Sequence, residues 1–217
     1  AVTTPGSLLA YFEAVRDFGS WDWSDICEPA VTQAAAGFYV RPHVHHWWKS
    51  GANLGRAEVT ERLGFSKTGR AAYFRADGSV KRIGDHVANP DLARSLTMIA
   101  RDGADVFYRG EIADKIDADM RENGGLIRRA DLEAYRTTQV DPLRGSYRGF
   151  DIATNHPPGG GIMLVEMLNI LENFDLSAIG HNSTEYIRIV AEAMKAATAD
   201  KDTRVGDPSF VDIPDYL

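Results

Sequence analysis

The stretch from Tyr147 to Phe174 reads YRGFDIATNHPPGGGIMLVEMLNILENF and constrains the fold more than any other part of the chain. Alternating residues with few helix signals predict a strand from Tyr147 to Thr154. Two prolines and three glycines then predict a connection that is first rigid and then flexible. Residues 162–174 follow as a strongly apolar predicted helix, which contains Leu164, Val165, Leu168 and Leu171.

Helix start and stop signals recur on the N-terminal side of this stretch. Thr4-Pro5 and Asn89-Pro90 each place a capping side chain before a proline, which predicts helices that begin there and end at Gly19 and Gly103. On the C-terminal side, Asn182 or Ser183 is the predicted cap of a last helix that ends near Gly206. Further helical stretches are predicted over residues 22–36, 41–63 and 112–124, with a tight turn over residues 76–79.

The predicted fold class is α+β, with helices in the majority. No Pro/Ser-rich linker divides the chain, so residues 1–217 are predicted to form a single unit. The predicted strands are too few and too short to bury their own faces. We therefore expect part of the sheet to be supplied by polypeptide outside these residues.

Composition excludes several function classes. The 217 residues carry 31 acidic and 24 basic side chains, a net charge of −7, which argues against nucleic acid as the main partner. The densest basic pair, Arg128-Arg129, is too short for a polybasic patch. No apolar run approaches a membrane span, residues 1–5 have no signal-peptide layout, and the single cysteine, Cys27, cannot form an internal disulfide.

An ordered series of short motifs runs through the second half of the chain. Each motif is weak alone, but their order and spacing over more than a hundred residues are specific. On these residues the chain resembles the γ-glutamyltransferase family, and similar residues upstream extend the resemblance to nearly the whole chain. The motifs are GADVFYRGEIA (103–113), NGGLI (123–127), DLEAY (131–135), Pro142, YRG (147–149), PP-x-GG (157–161), MLNILE (167–172), Glu192-Ala193, Gly206-Asp207-Pro208 and Phe210-Val211.

The resemblance implies a fold and a chemistry. It implies a helix-rich segment of a four-layer αββα N-terminal-nucleophile hydrolase fold, lying in the large subunit of a precursor that cuts itself before a threonine. That threonine, the first residue of the small subunit, attacks the γ-glutamyl group of a small-molecule substrate such as glutathione. The implied partners are this small subunit and the substrate, and the implied location is periplasmic or secreted.

The resemblance transfers no catalytic, substrate-binding, cofactor-binding or metal-binding residue to this chain. Residue 1 is Ala1, and the backbone nitrogens of Thr3 and Thr4 lie in peptide bonds and cannot act as bases. Thr137-Thr138 is followed by Gln139 and comes too early in the motif order. The family's carboxylate-binding arginine falls before the region that matches Thr4, so no arginine here inherits its role.

Two departures from the family pattern put the substrate in question. Gly159 and Gly160 stand where the family commonly has serines, and Lys201 stands where it has an arginine after aspartate. Lysine cannot reproduce the bidentate arginine fork. Two alternatives therefore stay open: a β-lactam or glutaryl acylase of the same superfamily, or a non-catalytic relative that serves as a binding module.

A histidine-rich segment suggests a third, unrelated hypothesis. His43, His45 and His46 precede Trp47 and Trp48, and histidine pairs can bind zinc or copper in a metal hydrolase. No cysteine or acidic ligand stands near them, and no His-x-x-x-His pair occurs. A helix face or loop with exposed histidines and partly buried aromatic rings is the preferred interpretation.

Other reactive side chains have ordinary structural explanations. Asp85-His86 is expected to form a polar turn rather than an acid/base pair, and His156 is expected to end a strand rather than line a pocket. Cys27 has apolar helical neighbours, which predict a buried structural thiol. Glu192 is expected to pair with Lys195 or Arg188 on a helix surface. The glycines before residue 162 could hold an anion at a helix N-terminus, but their spacing is not that of a nucleotide-binding loop.

Overall fold

The computed structural model describes residues 3–51 and 55–214. Residue contacts divide the chain into two compact units, the first running to Thr137 and the second beginning at Thr138. Helices dominate both units, and each unit has one small antiparallel sheet among its described residues, so the α+β class is confirmed. The assignment of residues 1–217 to a single segment of a large subunit stays a prediction.

The first unit contains nine helices and two short strands among its described residues. Strands β1 (Phe38–Tyr39) and β2 (His86–Val87) pair antiparallel. The helices are α1 (Ser7–Phe18), α2 (Trp23–Ala36), α3 (Pro42–Trp48), α4 (Val59–Leu63), α5 (Lys67–Tyr73), α6 (Pro90–Asp102), α7 (Asp105–Tyr108), α8 (Glu111–Glu122) and α9 (Arg129–Ala134).

The core of the first unit is built around Tyr108. Its buried members come from α7 and the residue before it, from α8, from α9 and from the segment between α8 and α9. Partly buried residues of α1 pack against them. The buried set is Ala104, Tyr108, Ala113, Ile127 and Leu132. Tyr108 stacks on Tyr135 with ring centroids 5.7 Å apart. Burying side chains of this size removes apolar surface worth roughly 1.5–3 kcal/mol each.

Helix α1 begins later than its sequence signal predicts. The prediction of a start at Thr4-Pro5 is wrong, because the helix begins at Ser7 with Gly6 as its N-cap residue. In a helix starting at Pro5, the N–H of Leu9 would donate to the carbonyl oxygen of Pro5. Both groups instead bond the hydroxyl of Tyr108. A tertiary contact has replaced the first backbone bond of the predicted helix.

In this unit the predictions for α6 and for the turn over residues 76–79 are confirmed, and the prediction for residues 41–63 is right only in part. Helix α6 starts at Pro90, where the Asn89 side chain accepts a hydrogen bond from the backbone N–H of Leu92 at 3.0 Å. It ends at Gly103, whose φ of 74° lies in the region that favours glycine. The turn over residues 76–79 is present, closed by a 2.8 Å bond from the N–H of Arg75 to the carbonyl of Ser79. The long helical stretch predicted over residues 41–63 is two helices, α3 and α4, and residues 52–54 within it lie outside the described residues.

The second unit contains a hairpin and three helices among its described residues. The strand predicted over residues 147–154 is wrong in part: Tyr147 ends one strand, Arg148 and Gly149 form the turn with positive φ, and the next strand begins at Phe150. Positive φ at both turn residues suits the twist of a two-residue hairpin. The elements are β3 (Leu143–Tyr147), β4 (Phe150–Thr154), α10 (Gly161–Leu171), α11 (Leu176–Ile179) and α12 (Thr184–Arg204).

Helix α10 lies between the hairpin and α12 and organises this unit. A Cβ placed on Gly145 of β3 would be 2.9 Å from a methyl group of Val165, so strand and helix approach closely here. On its other side α10 packs against α12, which buries Ile189, Ala193 and Ala197. The predicted cap of α12 is confirmed, since the Ser183 hydroxyl accepts from the N–H of Tyr186. Within the described residues, no helix combines the length and apolar character that crossing a membrane requires.

Candidate functional site

The loop between β4 and α10 is the candidate site in the second unit. It runs from Asn155 to Gly160 and includes a cis peptide bond between Pro157 and Pro158. We call residues 155–160 the glycine loop. It delivers the chain to the first turn of α10, where no side chain caps the helix and no acidic residue stands. The first N–H groups of a helix have no partner within the helix, so this end presents free backbone donors.

The side chain of Asn155 determines which glycines of this loop are replaceable. A Cβ on Gly159 would stand 1.8 Å from Nδ2 of Asn155, and one on Gly161 would stand 2.1 Å from the Asn155 carbonyl oxygen. A Cβ on Gly160 meets nothing within 4 Å. The Asn155 carboxamide therefore occupies the space that a side chain at position 159 would need, while position 160 opens away from the protein.

A pair of carboxyl groups lies behind the loop, between α10 and α12. Glu166 of α10 and Asp200 of α12 are both partly buried. Burial raises the pKa of Glu166 first, and the charge and hydrogen bond of Asp200 raise it further. Asp200 also pairs with Arg204 at 3.1 Å. Sequence reasoning missed this pair, although Glu166 is the only charged residue between Gly161 and Leu171.

The structure leaves His156 exposed in the glycine loop, directly after the strand that it was expected to end. It follows β4 by two residues and precedes the cis-proline pair. The neighbouring Asn155, which sequence reasoning did not single out, is the residue whose side chain shapes the loop. Its only sequence signal was its position between a strand end and a glycine-rich run.

The histidine-rich segment forms helix α3. His45 and His46 lie in its last turn, and Trp48 packs edge-on against Tyr73 with ring centroids 5.5 Å apart. Trp47 is 65% exposed. Among residues 3–51 and 55–214, no group of three His, Cys, Asp or Glu side chains is placed to hold a metal ion. The geometry matches the helix face with partly packed aromatic rings that the sequence favoured.

Asp85 and His86 do not act on one another. The carboxylate of Asp85 accepts from Nε of Arg75 at 2.8 Å and from the N–H of Arg82 at 2.8 Å. Nε2 of His86 lies 2.8 Å from the carbonyl oxygen of Ala36 and bonds it. These partners are structural. The expected polar turn is right for Asp85, whose N–H closes a turn on the carbonyl oxygen of Arg82 at 3.0 Å, and wrong for His86, which lies in strand β2.

The remaining reactive residues also have structural partners. Cys27 is buried in α2, and burial raises the pKa of its thiol, so the thiolate needed for nucleophilic attack is disfavoured. Glu192 pairs with Lys195 at 2.7 Å, one of the two expected partners. Lys201 pairs with its neighbour Asp202 at 2.6 Å. Arg129 of the basic pair is neutralised by Asp114 and Glu133.

Comparison with known proteins relates this geometry to enzymes. The family described as gamma-glutamyltranspeptidase matches residues 1–217. The chain is 38% identical over 212 residues to the glutathione hydrolase proenzyme of Escherichia coli (strain K12), covering 97% of this chain and 35% of that protein. It is 36% identical over 217 residues to the Acylase ACY 1 proenzyme of Pseudomonas sp. (strain SE83), covering 99% of this chain and 37% of that protein.

A solved structure shares the architecture. The gamma-glutamyltranspeptidase of Helicobacter pylori superposes with a TM-score of 0.88 at 33% identity, covering 98% of this chain and 59% of that chain. The helix-rich α+β arrangement is therefore that of an N-terminal-nucleophile hydrolase. The chain belongs to the gamma-glutamyltranspeptidase family. It spans little more than a third of the length of the curated relatives it matches.

Proposed function

We propose that this chain is a scaffold and pocket-wall segment, within a large subunit, of an enzyme that transfers or hydrolyses γ-glutamyl groups. The substrate class is small γ-glutamyl compounds such as glutathione. The attacking group is the threonine at the free N-terminus of a small subunit cut from the same precursor. The main observation that supports this proposal is the match to the family over residues 1–217.

The threonines inside this chain support an external nucleophile. Activation of a threonine hydroxyl by its own α-amino group requires a free N-terminus. Thr137 belongs to the Thr-Thr pair that was compared with the family's nucleophile. Its hydroxyl donates a hydrogen bond to the carboxylate of Glu13, which is a structural contact. The catalytic, substrate-binding, cofactor and metal residues that we assign to this chain are accordingly none.

The glycine loop and helix α10 of the second unit are the part of this chain that we expect to line a pocket. The carboxamide of Asn155 lies against Gly159 in the glycine loop, and α10, which follows the loop, packs on both the hairpin and α12. Residues on rigid elements position ligands more accurately than residues on free loops. The open position at Gly160 gives backbone access that a serine there would partly cover.

Exposed apolar residues on both units support the proposal that further polypeptide packs against them. Phe18, Trp21 and Phe65 are 85%, 71% and 77% exposed in the first unit, and Phe150 and Phe210 are 72% and 85% exposed in the second. A contiguous exposed apolar patch is typical of a surface that packs against a partner, and these side chains are our candidates for such patches. We infer that the partner is the rest of the precursor, including its small subunit, and that the added strands complete the four-layer αββα arrangement.

An acylase is the second candidate. The match to the Acylase ACY 1 proenzyme is nearly as strong as that to the glutathione hydrolase proenzyme. Gly159 and Gly160 at positions where serines are common change the polar groups available near the loop. The two candidates share the nucleophile and differ in the acyl group that the pocket accepts.

The precursor's cellular location follows from the same proposal. The names of the relatives describe proenzymes, and we infer export to the periplasm or the medium, in keeping with the family resemblance. Fractionation of cells that express the precursor tests this inference, and activity confined to the cytoplasmic fraction would contradict it.

The experiment for function compares the complete precursor with residues 1–217 alone. We expect the precursor to mature into two chains, the second beginning with threonine, and to release p-nitroaniline from γ-glutamyl-p-nitroanilide. Residues 1–217 alone are expected to give no turnover. N-terminal sequencing and absorbance measure the two outcomes.

Each alternative has its own signature in that experiment. Turnover of a β-lactam acyl substrate without γ-glutamyl turnover would identify the acylase. A precursor that stays uncut and inactive on both substrates would identify a non-catalytic relative. Turnover by residues 1–217 that is abolished by a substitution within them would overturn the external nucleophile.

A further inference from the structure

We propose that helix α1 joins two copies of this chain through an antiparallel contact, in which Tyr11 of each copy enters a groove beside α1 of the other. The contact uses one face of the helix, formed by Tyr11, Ala14, Val15 and Phe18, which we call the α1 stripe. The inference goes beyond the proposed function, which concerns the reaction. It narrows the partner of Phe18 and Trp21 to a second copy, and the rest of the precursor stays the partner inferred for the other exposed aromatic side chains.

The α1 stripe presents apolar side chains to solvent. Positions 11, 14, 15 and 18 recur at helical spacing, so their side chains share one face of α1. Tyr11, Ala14 and Phe18 are exposed, and Val15 is half-buried. The other apolar residues of α1 pack against the core of the first unit. A helix that is apolar on a second face is typically covered on that face by a partner.

A groove of about 400 Å³ opens at the C-terminal end of the stripe. Its walls are fixed, because Nε1 of Trp23 donates to the carbonyl oxygen of Ile99 at 2.9 Å. The rings of Phe12 and Trp23 also meet edge to face, with centroids 5.1 Å apart. A groove of this size accommodates an aromatic side chain, and preformed walls reduce the ordering that binding requires. The lining residues are Phe12, Val15, Arg16 and residues 19–23.

The order of residues along the stripe suits an antiparallel pair. An aromatic side chain stands at each end, and two small side chains stand in the middle. With a two-fold axis between Ala14 and Val15, the helices approach closely at these small residues, and Tyr11 of one copy lies opposite Phe18 of the other. Helix side chains lean toward their own N-terminus. Tyr11 of the second copy therefore leans past Phe18 toward the groove at residues 19–23.

Charge does not oppose this contact. The α1 stripe itself is uncharged. Arg16, the cation that lines the groove, is neutralised because its Nε and Nη2 atoms bond the two carboxylate oxygens of Asp17 at 2.7 and 3.0 Å. Asp22 also lines the groove, but it is the N-cap residue of α2, where the helix dipole favours a negative charge. The second copy therefore covers no uncompensated charge.

The exposed aromatic surface has the size that a small reversible dimer needs. Tyr11, Phe18 and Trp21 are between 65% and 85% exposed. Since a whole aromatic side chain buries roughly 150–250 Å², these three would bury roughly 350–550 Å² in each copy. The pair then reaches on the order of 1,000 Å², which is the lower limit for a specific interface. We therefore expect a dimer that dissociates on dilution.

The first test measures self-association of the protein obtained from the complete precursor, whether or not the precursor is cut. Sedimentation velocity over a wide range of concentration should show a dimer that dissociates on dilution. Ala14→Arg places like charges against one another at the axis and should weaken association by about tenfold or more. Ala35→Arg is the matched control, because Ala35 is exposed on α2 outside the stripe, and it should leave association unchanged. A monomer at every concentration, or a dimer that Ala14→Arg leaves intact, would overturn the proposal.

A second measurement tests the geometry and keeps the proposal falsifiable if Ala14→Arg folds poorly. In Ala14→Cys the new thiols of two copies lie beside the axis, so oxidation in dilute solution should join two chains, whereas Ala35→Cys should give no such product. The native Cys27 is buried and is common to both variants. Absence of the cross-link, or equal cross-linking in the two variants, would overturn the antiparallel contact. Neither measurement uses turnover, so an inactive protein that still pairs through α1 would contradict the proposed function alone.

Discussion

The phenol hydroxyl of Tyr108 donates a hydrogen bond to the carbonyl oxygen of Pro5 at 2.8 Å, a contact that joins residues 103 positions apart. The same oxygen accepts from the N–H of Leu9 at 3.2 Å. One hydroxyl thus replaces the backbone bond that would have extended α1 by two residues, from Ser7 back to Pro5. Tyr108 is 1% exposed, and burial raises its pKa, so it stays a neutral donor.

Removing that hydroxyl should destabilise the first unit. Tyr108→Phe leaves the Pro5 carbonyl and the Leu9 N–H without their partner while keeping the ring in the core. We expect a loss of about 1–3 kcal/mol in the free energy of unfolding, measured by urea titration with circular dichroism. Tyr11→Phe on the same helix is the matched control, since Tyr11 is 65% exposed. Equal effects from the two substitutions would contradict the role given to the Tyr108 hydroxyl.

The carboxylate of Asp85 should make the segment between α5 and β2 sensitive to acid. The backbone N–H of Arg82 and the side chain of Arg75 lower the pKa of Asp85. A lowered pKa gives stability that is present above the ordinary value of 3.8 and lost as the pH falls through the folded value. Asp85→Asn should therefore lower the Tm at pH 7 by about 2 °C and have a smaller effect at pH 3.

Asp77→Asn is the control for the Asp85 substitution. Asp77 accepts from the N–H of Ser79 at 2.9 Å in a turn that asparagine also supports. The hydroxyl and N–H of Ser79 lower the pKa of Asp77, so its charge also adds some stability. Both bonds use one oxygen, which asparagine keeps, so we expect a smaller fall in Tm at pH 7 than from Asp85→Asn. An Asp85→Asn effect that is equal at pH 3 and pH 7 would show that charge is not the source of the stabilisation.

Serine substitutions at Gly159 and Gly160 of the glycine loop should have different effects on stability. Gly159→Ser forces the Asn155 carboxamide from its place and should cost about 1–2 kcal/mol. Gly160→Ser enters open space and should change stability by less than about 0.5 kcal/mol. Thermal unfolding of the second unit measures both effects.

A double substitution tests the cause of the Gly159 effect. If Asn155 is the obstacle, Asn155→Ala should restore most of the stability lost in Gly159→Ser. Additive losses in the double variant would place the obstacle elsewhere, for example at the His156 carbonyl oxygen, which lies 2.9 Å from the Cβ position.

Structural features that depend on a few neighbouring residues were predictable from the sequence. Asn89 caps α6, Ser183 caps α12 and Gly103 stops α6, as their positions indicated. Each of these features depends on one side chain and a backbone group at most four residues away. Predictions failed where two short-range patterns compete, as in the hairpin turn at Arg148-Gly149, which the alternation of residues 147–154 concealed.

The sequence predicted where the candidate site lies in the chain but not which side chains shape it. The proline and glycine run marked the connection between β4 and α10, but nothing in the sequence showed that Asn155 folds back over Gly159. Likewise Glu166 was hidden inside an apolar run. Asp200, whose charge raises the pKa of Glu166, comes 34 positions later, on a helix whose packing angle no local pattern encodes.

The sequence by itself determined the family, the helix-rich composition and most helix ends, because the order of motifs and the chemistry of caps are properties of short segments. Only the tertiary structure decided that Tyr108 shortens α1, that Asp85 serves Arg75 instead of His86, and that Glu166 lies near the charge of Asp200. These contacts form when distant segments pack together. Their partners are chosen by burial and by the demand that polar groups in contact regions be bonded, which no spacing in the sequence records.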